Sequence, residues 1–418
     1  MENNNKRAVV IGGGIIGAAT ALKLQRSGLH VTLVERDNPG EGCSFGNGGA
    51  ISPDVCVPIA LPGMLRKVPR WLFDPKGPLV LRWGHLPQAL PWLLRWIRAG
   101  RENRVREVSH ALRALHSRSY VMYEALLGER AQGLIEMTGQ IYAWRSEQPA
   151  ASEAFSQALR AEFGIEVQSL DTAALHAMEP DLCKSFRSGL FFPENGHTLN
   201  PLRLVQTLVT LFEQAGGRVL RETVRGFDAE DGKATAVLLD GDRLDGDVFV
   251  LAAGIDSGAI ARKLGDRIPL QAERGYHVML PDPGITPRIK ISNRESMFGM
   301  TPLETGVRIA GTVEIASPDA PMDEARAHAM LDHASNMYPG INTEGATFWM
   351  GSRPSIPDSL PVIDRSSRHE NVIYAFGHGH FGLTGAPMTA ELVVSRILGR
   401  PGPVPYEPYE LKRFRSGW

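Results

Sequence analysis

Apolar and polar positions change period several times along this chain, and each change predicts an element. Residues 8–11, Ala-Val-Val-Ile, run without a polar break, the pattern of a strand buried on both faces. Glycines at positions 12, 13, 14 and 17 interrupt the run, and a helix follows from Ala18 to Ser27. A second apolar run, His30 to Val34, ends at Glu35. Residues 103–130 predict helix, Leu134–Trp144 a strand or hairpin, and Ala151–Phe163 another helix. Asn200-Pro201 reads as an N-cap with proline at the first helical position, for a helix stopped by Gly216-Gly217. Strands are predicted at Arg218–Arg225, Ala234–Leu239 and Asp247–Ala253. Residues 268–350 alternate short strands, with a helix near 322–337 and a strand near Thr347–Met350. Asn371–Ala375 is again a buried-type strand, followed by a glycine-rich turn and a helix from about Gly385 to Leu398.

A length of 418 residues exceeds what one hydrophobic core usually holds, so two domains are expected. Both ends of the chain and residues 200–265 read as α/β, whereas the stretches between read as β-rich with added helices. The expected fold is therefore α/β plus β-rich. A discontinuous Rossmann-like domain (1–56, 197–268 and 354–418) carries a mixed α+β substrate domain (57–196 and 269–353) inserted twice.

The glycines carry the first chemistry. Gly12 permits a tight turn, Gly14 lets backbone approach a pyrophosphate, and Gly17 lets helix and strand pack closely. The amides at the helix N-terminus then face the phosphates, and Ile15 and Ile16 are expected against the cofactor. Glu35, 23 residues after Gly12, stands where an acid hydrogen-bonds a ribose hydroxyl. A nicotinamide dehydrogenase completes its nucleotide domain in consecutive residues. Here the chain enters a second glycine-rich loop, Gly42–Gly49, and returns to nucleotide-type strands some 180 residues later. That suits a long cofactor lying across several segments, which points to FAD. No second Gly-x-Gly-x-x-Gly occurs, so the substrate itself is the expected reductant.

Bulk properties narrow the class. A net charge of −1 with 22% charged residues offers no field for nucleic acid. Cys43, Cys56 and Cys183 have neither disulfide-framework nor zinc spacing and suit a reducing, cytoplasmic setting. The polar start, Met1 to Arg7, predicts no signal peptide, and no apolar stretch reaches the roughly 20 residues of a spanning helix. Residues 57–101 stand apart. They hold four of the seven tryptophans (Trp71, Trp83, Trp92, Trp96) and eight Lys/Arg against one acid, Asp74. Two readings stay open: a peripheral contact with anionic lipid on the inner membrane face, or a helical excursion whose tryptophans pack inward.

Several motifs together resemble one family. They are Val10–Gly17 with Glu35-Arg36, Cys43–Gly49, Leu251-Ala-Ala-Gly254, Trp349–Asp358 and Gly377–Thr384. Over nearly its whole length the chain is similar to the FAD-dependent amine and D-amino-acid oxidoreductases, most to the bacterial D-amino-acid dehydrogenases. The resemblance implies oxidative deamination of a D-amino acid or secondary amino acid. A hydride passes from Cα to flavin N5, the imino product hydrolyses to a keto acid, and the electrons leave to a quinone or O2. The FAD subunit of a heteromeric amine dehydrogenase and a flavin hydroxy-acid oxidoreductase are the alternatives.

Arg353 is the expected carboxylate anchor, because a guanidinium grips a carboxylate through two parallel hydrogen bonds; the alternative is an ion pair to Asp358 or Asp364. Tyr276 is a candidate second ligand, with His277 on the opposite strand face, and His380 a candidate contact of the flavin or the pocket. The cofactor is expected to touch Ser44, Asn47, Gly48 and Gly49, with Arg36 along the adenine. Gly254 and the turn residues Gly379, Phe381, Gly382, Leu383 and Thr384 complete the set, and Val224 enters by resemblance alone. No cysteine lies in the motifs near Arg353, so the FAD is expected to be non-covalent.

Overall fold

The computed structural model describes residues 6–64, 79–150 and 153–415. Trp71 and the basic residues Arg66, Lys67, Arg70 and Lys76 of the tryptophan-rich stretch lie outside them.

The opening apolar run, Arg7–Ile11, is an inner strand of a six-stranded sheet. The order across that sheet is Arg218–Arg221, His30–Glu35, Arg7–Ile11, Val248–Leu251, Val372–Phe376, Val362–Arg365. All neighbours are parallel except the last pair. Both faces are covered, which is why the run has no polar break. Ala8 and Val10 pack on one side against the helices Ile15–Arg26, Pro201–Gln214 and Gly382–Ile397. Val9 and Ile11 pack on the other with Phe249, Leu251 and Ile260. Chain order reverses direction at Arg7–Ile11, whose neighbours come next in sequence on one side and some 240 residues later on the other. Ligands of such sheets bind beyond the carboxyl ends of the strands at that switch point.

Two glycines make this junction possible. Gly12 has φ of +105°, and a Cβ there would fall 2.5 Å from the Ala252 carbonyl oxygen. A Cβ at Gly17 would lie 1.8 Å from the Gly12 carbonyl oxygen. Any side chain at either position forces helix and strand apart.

A second sheet of nine strands has Thr347–Ser355 at its edge, then Gln271–Leu280, Gly306–Ile315 and Phe298–Leu303. Strand alternation divides Gln271–Leu280 into two faces. Tyr276, Val278 and Leu280 enter a core with Met330 and Ala334 of the Glu324–Met337 helix. Glu273, Gly275 and His277 take the other face, toward the first sheet. The edge strand touches that sheet directly, through a bridge between Ser355 and His378 and a bond from the Gly379 amide to the Pro354 carbonyl (3.0 Å). A small sheet of Ala50–Ile51, Gly196–Thr198 and Ile135–Glu136 ties three distant stretches together.

Three boundaries differ from the sequence-based expectation. The first helix starts at Ile15, because Gly14 serves as its N-cap. The last starts at Gly382, so Gly382–Thr384 form its first turn. The expected Thr347–Met350 strand continues to Ser355, held by pairing with Gln271–Leu280, so Arg353 belongs to the strand itself.

Candidate active site

A cleft of about 670 Å³ runs along the carboxyl ends of the first sheet and against the edge strand of the second. At one end Glu35 is fixed by two amides: Gly13 donates to Oε2 (2.5 Å) and Asp37 to Oε1 (3.1 Å). Arg36 lies beside it, paired with Asp37 (3.0 Å) and Asp256 (3.4 Å), and Val224 and Gly254 line the same end. In the middle the cleft meets the N-terminus of the Ile15–Arg26 helix, whose first turn contains no acid. Gly12, Gly14, Ile15 and Ile16 line it there, and the Ile15 amide donates to Ser44 Oγ (2.9 Å). An acid poised for a ribose and unopposed helix-terminal amides poised for a pyrophosphate form the donor set of an adenine dinucleotide. Gly17 lies behind this wall, in the helix–strand contact.

The 42–49 loop forms the next part of the wall and is held from below. Arg308 Nη1 donates to the carbonyls of Phe45 (2.6 Å) and Asn47 (2.8 Å), and Thr301 Oγ1 to that of Gly48 (2.7 Å). Burial pulls the Arg308 pKa down to about 10. Asn47 lines the cleft and its Oδ1 accepts from the Gly49 amide (2.8 Å). Gly48 and Gly49 stand off the cleft and shape the loop instead. The Trp349 indole lies on the loop, with a ring atom 1.8 Å from where a Cβ on Gly46 would be, and stacks on His277 at 5.1 Å.

At the far end Gly379, Gly382 and Leu383 line the cleft. Thr384 sits deeper, its Oγ1 accepting from the Ser52 amide (3.2 Å). His380 and Phe381 bound a smaller cavity that shares His378 and Gly379 with the main cleft. His380 Nε2 bonds Glu273 Oε2 at 2.8 Å, and Ser355 Oγ donates to the same oxygen (2.8 Å). Burial pushes the Glu273 carboxyl up, but the bond and charge of His380, Ser355 and Arg353 outweigh it and leave the pKa below the usual value.

Arg353 faces Glu273 across the strand pair and lies over Gly275, where a Cβ would come within 2.2 Å of the guanidinium carbon. Its Nη1 donates to the Thr312 carbonyl (3.1 Å), at a residue with φ of +56° beside a bulge. Strained backbone of this kind clusters at functional sites. Burial lowers the Arg353 pKa against the pull of Glu273 and Cys43. Neither Asp358 nor Asp364 pairs with it: Arg104 and Arg413 hold the first and Arg396 the second.

Tyr276 stands elsewhere than expected. Its hydroxyl donates to Glu314 Oε2 (2.6 Å), on the helix-covered face of the sheet. His277 has the expected opposite face, and that is the face toward the cleft. Glu273, Trp349 and Cys43 were not anticipated. Glu273 and His277 share a parity, which was the available signal for the acid.

The tryptophan-rich stretch divides. Trp92 is buried, its Nε1 donating to the Ser355 carbonyl (3.0 Å), and Trp96 lines the smaller cavity. Trp83, Leu90, Leu94 and Ile97 are exposed, the last three on one side of the Leu86–Ala99 helix. Among the described residues no helix is long and apolar enough to cross a membrane.

Known proteins share this architecture. The chain is 34% identical to a D-amino-acid oxidase of Bradyrhizobium diazoefficiens over 417 residues, 98% of this chain and 99% of that one. It is 30% identical to a D-amino acid dehydrogenase of Rhodopseudomonas palustris, over 98% of each. In fold it is similar to glycine oxidase from Bacillus cereus, with a TM-score of 0.73 at 16% identity over 95% of this chain and 96% of that one. L-proline dehydrogenase from P. horikoshii gives 0.74 at 19% identity over 99% of each. Residues 7–396 match the family described as FAD dependent oxidoreductase (DAO). With that match spanning the fingerprint, the loop and the edge strand alike, the chain belongs to the DAO family of FAD-dependent oxidoreductases.

Proposed function

We propose that this protein oxidises a small amino acid, of the D series or with a secondary amine, to an imino acid that water converts to a keto acid. The observation that carries the reading is Arg353. It is a desolvated guanidinium between the cleft-lining Ser352 and Pro354, hydrogen-bonded to the Thr312 carbonyl, with room made for it by Gly275. The names of the relatives, a D-amino-acid oxidase and a D-amino acid dehydrogenase, support the same substrate class.

FAD, when bound, would supply the two-electron acceptor for a hydride from the substrate α-carbon. The residues of this chain do the rest. Glu35 and the Gly12–Ile16 backbone hold the adenosine and pyrophosphate end, and Ser44 and Asn47 the middle. The amides that open the Gly382–Ile397 helix, at the cleft-lining Gly382 and Leu383, stabilise the charge that develops on the acceptor ring. Arg353 fixes the substrate carboxylate, which orients the α-carbon. The cofactor is non-covalent in this reading: the motifs near Arg353 hold no cysteine, and the Sγ of Cys43 on the cleft wall donates to the Ser352 carbonyl (2.9 Å). Denaturation therefore releases the yellow colour from the chain.

The deciding experiment is anaerobic mixing of the holoprotein with D-, L- and N-substituted amino acids and with hydroxy acids. Bleaching by D- or N-substituted amino acids is the expected result. Bleaching only by hydroxy acids, or by nothing in the isolated chain, overturns the reading in favour of a hydroxy-acid enzyme or a partner-dependent subunit.

For the electron acceptor, a quinone at an anionic lipid surface is favoured by the exposed apolar side of the Leu86–Ala99 helix. Leu90, Leu94 and Ile97 lie there with Arg98 and Arg101 nearby in sequence, and the inner face of the same helix reaches the site through Trp92.

A further inference from the structure

A buried charge costs stability unless a group of opposite sign answers it, and several buried guanidiniums here are answered. Arg160 meets Glu153 (3.3 Å), Arg274 meets Glu314 (3.4 Å) and Arg413 meets Asp358 (3.2 Å). Arg308 is not. It is 4% exposed, yet among the described residues no carboxylate pairs with it and its Nε has no hydrogen-bond partner. Desolvation acts on it with no acid to oppose it. Its Nη1 donates instead to the carbonyls of Phe45 and Asn47, and the guanidinium lies 5.3 Å from the centre of the Phe45 ring. Its charge is felt at His277, where burial and then Arg308 push the imidazole pKa down to about 3.

The loop that Arg308 grips belongs to the cofactor cleft, since Ser44 and Asn47 line it. Ser44 Oγ accepts from the Ile15 amide, at the helix N-terminus that opens on the pyrophosphate position. The cations that line the cleft lie at the adenine end and are engaged. Arg36 pairs with Asp37 and Asp256, Arg225 with Asp240, and Lys263 donates to the Arg225 carbonyl. No other lysine or arginine lines the cleft among the described residues. FAD brings two negative phosphates to this stretch, and the helix-terminal amides offer them partial charge only. A full positive charge held against the back of the loop, in an interior that screens it weakly, adds to those amides.

We infer that Arg308 is a positioning residue of the pyrophosphate subsite: it holds the 42–49 loop by two carbonyls and answers the cofactor's phosphate charge from behind that loop. Without FAD the guanidinium is buried with no counter-charge. With FAD in place the phosphates are that counter-charge, so part of what its burial costs the fold is recovered as cofactor affinity. The substrate-domain sheet thereby contributes, through Gly306–Ile315, to a site whose other walls belong to the six-stranded sheet. Nothing in this role depends on which substrate the enzyme oxidises.

The test is displacement of FAD from the holoprotein, followed by the rise in flavin fluorescence as the ring leaves the protein. ADP, with two phosphates and no ring, and adenosine, with neither, are the competitors. Arg308→Met should weaken FAD and ADP at least about tenfold and leave adenosine within about twofold of wild type, because only the phosphates lose a charge. Arg308→Lys keeps the charge and should bind ADP within about threefold of wild type. A folded Arg308→Met that is isolated without FAD is titrated directly with ADP and adenosine by calorimetry. Equal losses for ADP and adenosine make Arg308 a structural support alone and overturn the inference. So does an Arg308→Met that binds ADP within about twofold of wild type. If circular dichroism shows Arg308→Met unfolded, Arg308→Lys decides, and a loss of about tenfold in its ADP binding rejects the charge. Substrate oxidation has no part in these readouts, so their failure leaves the proposed function standing.

Discussion

At the scale of single residues, Arg353 makes the sharpest claim. Losing a desolvated, charge-assisted carboxylate pair costs on the order of 1.5–3 kcal/mol, so Arg353→Met should raise KM for the amino acid at least about tenfold with FAD content unchanged. Gly275→Ala should do the same while keeping the guanidinium, because its methyl would stand 2.2 Å from the Arg353 Cζ and displace it. Steady-state kinetics on the two variants check this, and an unchanged KM in Arg353→Met rejects the anchor. The place of Arg353, between the cleft-lining Ser352 and Pro354, was legible in its motif. Tyr276 was not. Parity separates it from His277, but which of the two faces meets the cleft is decided by where the Glu324–Met337 helix packs, which no local pattern announces. Its hydroxyl instead serves Glu314, a buried carboxylate that Arg274 also holds (3.4 Å).

At the scale of elements, the opening strand–turn–helix–strand was readable because each glycine there answers a contact that a Cβ would destroy. The second sheet was not, since its order pairs strands far apart in sequence, Lys290–Asn293 against Gln140–Trp144 among them. The Leu86–Ala99 helix bears out the inward packing offered for the tryptophan-rich stretch and leaves an exposed apolar side on which the lipid reading can be tested. Its inner tryptophans pack against the site, and its outer side presents Leu90, Leu94 and Ile97, 46%, 48% and 36% exposed. If that side rests on lipid, the holoprotein should float with vesicles containing phosphatidylglycerol. Replacing Leu90, Leu94 and Ile97 together by Ser should abolish flotation while leaving FAD absorbance intact. Equal flotation of the two proteins, or none by wild type, rejects the surface.

At the scale of the whole molecule, buried imidazoles tie stability to pH. Burial pushes His116 and His197 down to about 4, and His277 and His378 to about 3. Each is neutral in the fold and takes up a proton when unfolded below about 6.5. The unfolded chain binds more protons, so stability falls as pH drops from about 6.5 toward those lowered values. Near pH 5 unfolding should take up as many as four protons through these groups, at up to about 1.4 kcal/mol per imidazole per pH unit. Melting temperature should therefore decline steadily from pH 7 to 5. A flat profile shows that the imidazoles are not held neutral.

The six-stranded sheet also constrains how the protein comes into being. Arg7–Ile11 pairs with Val248–Leu251, which in turn pairs with Val372–Phe376. The fingerprint leaves the ribosome long before the Val372–Phe376 strand and the turn that complete its cleft. A nascent or prematurely ended chain thus carries an intact Gly12–Gly17 motif with nothing built around it. Cofactor capture must follow synthesis of the chain through Leu383, and the yellow colour reports that the distant strands have joined the sheet.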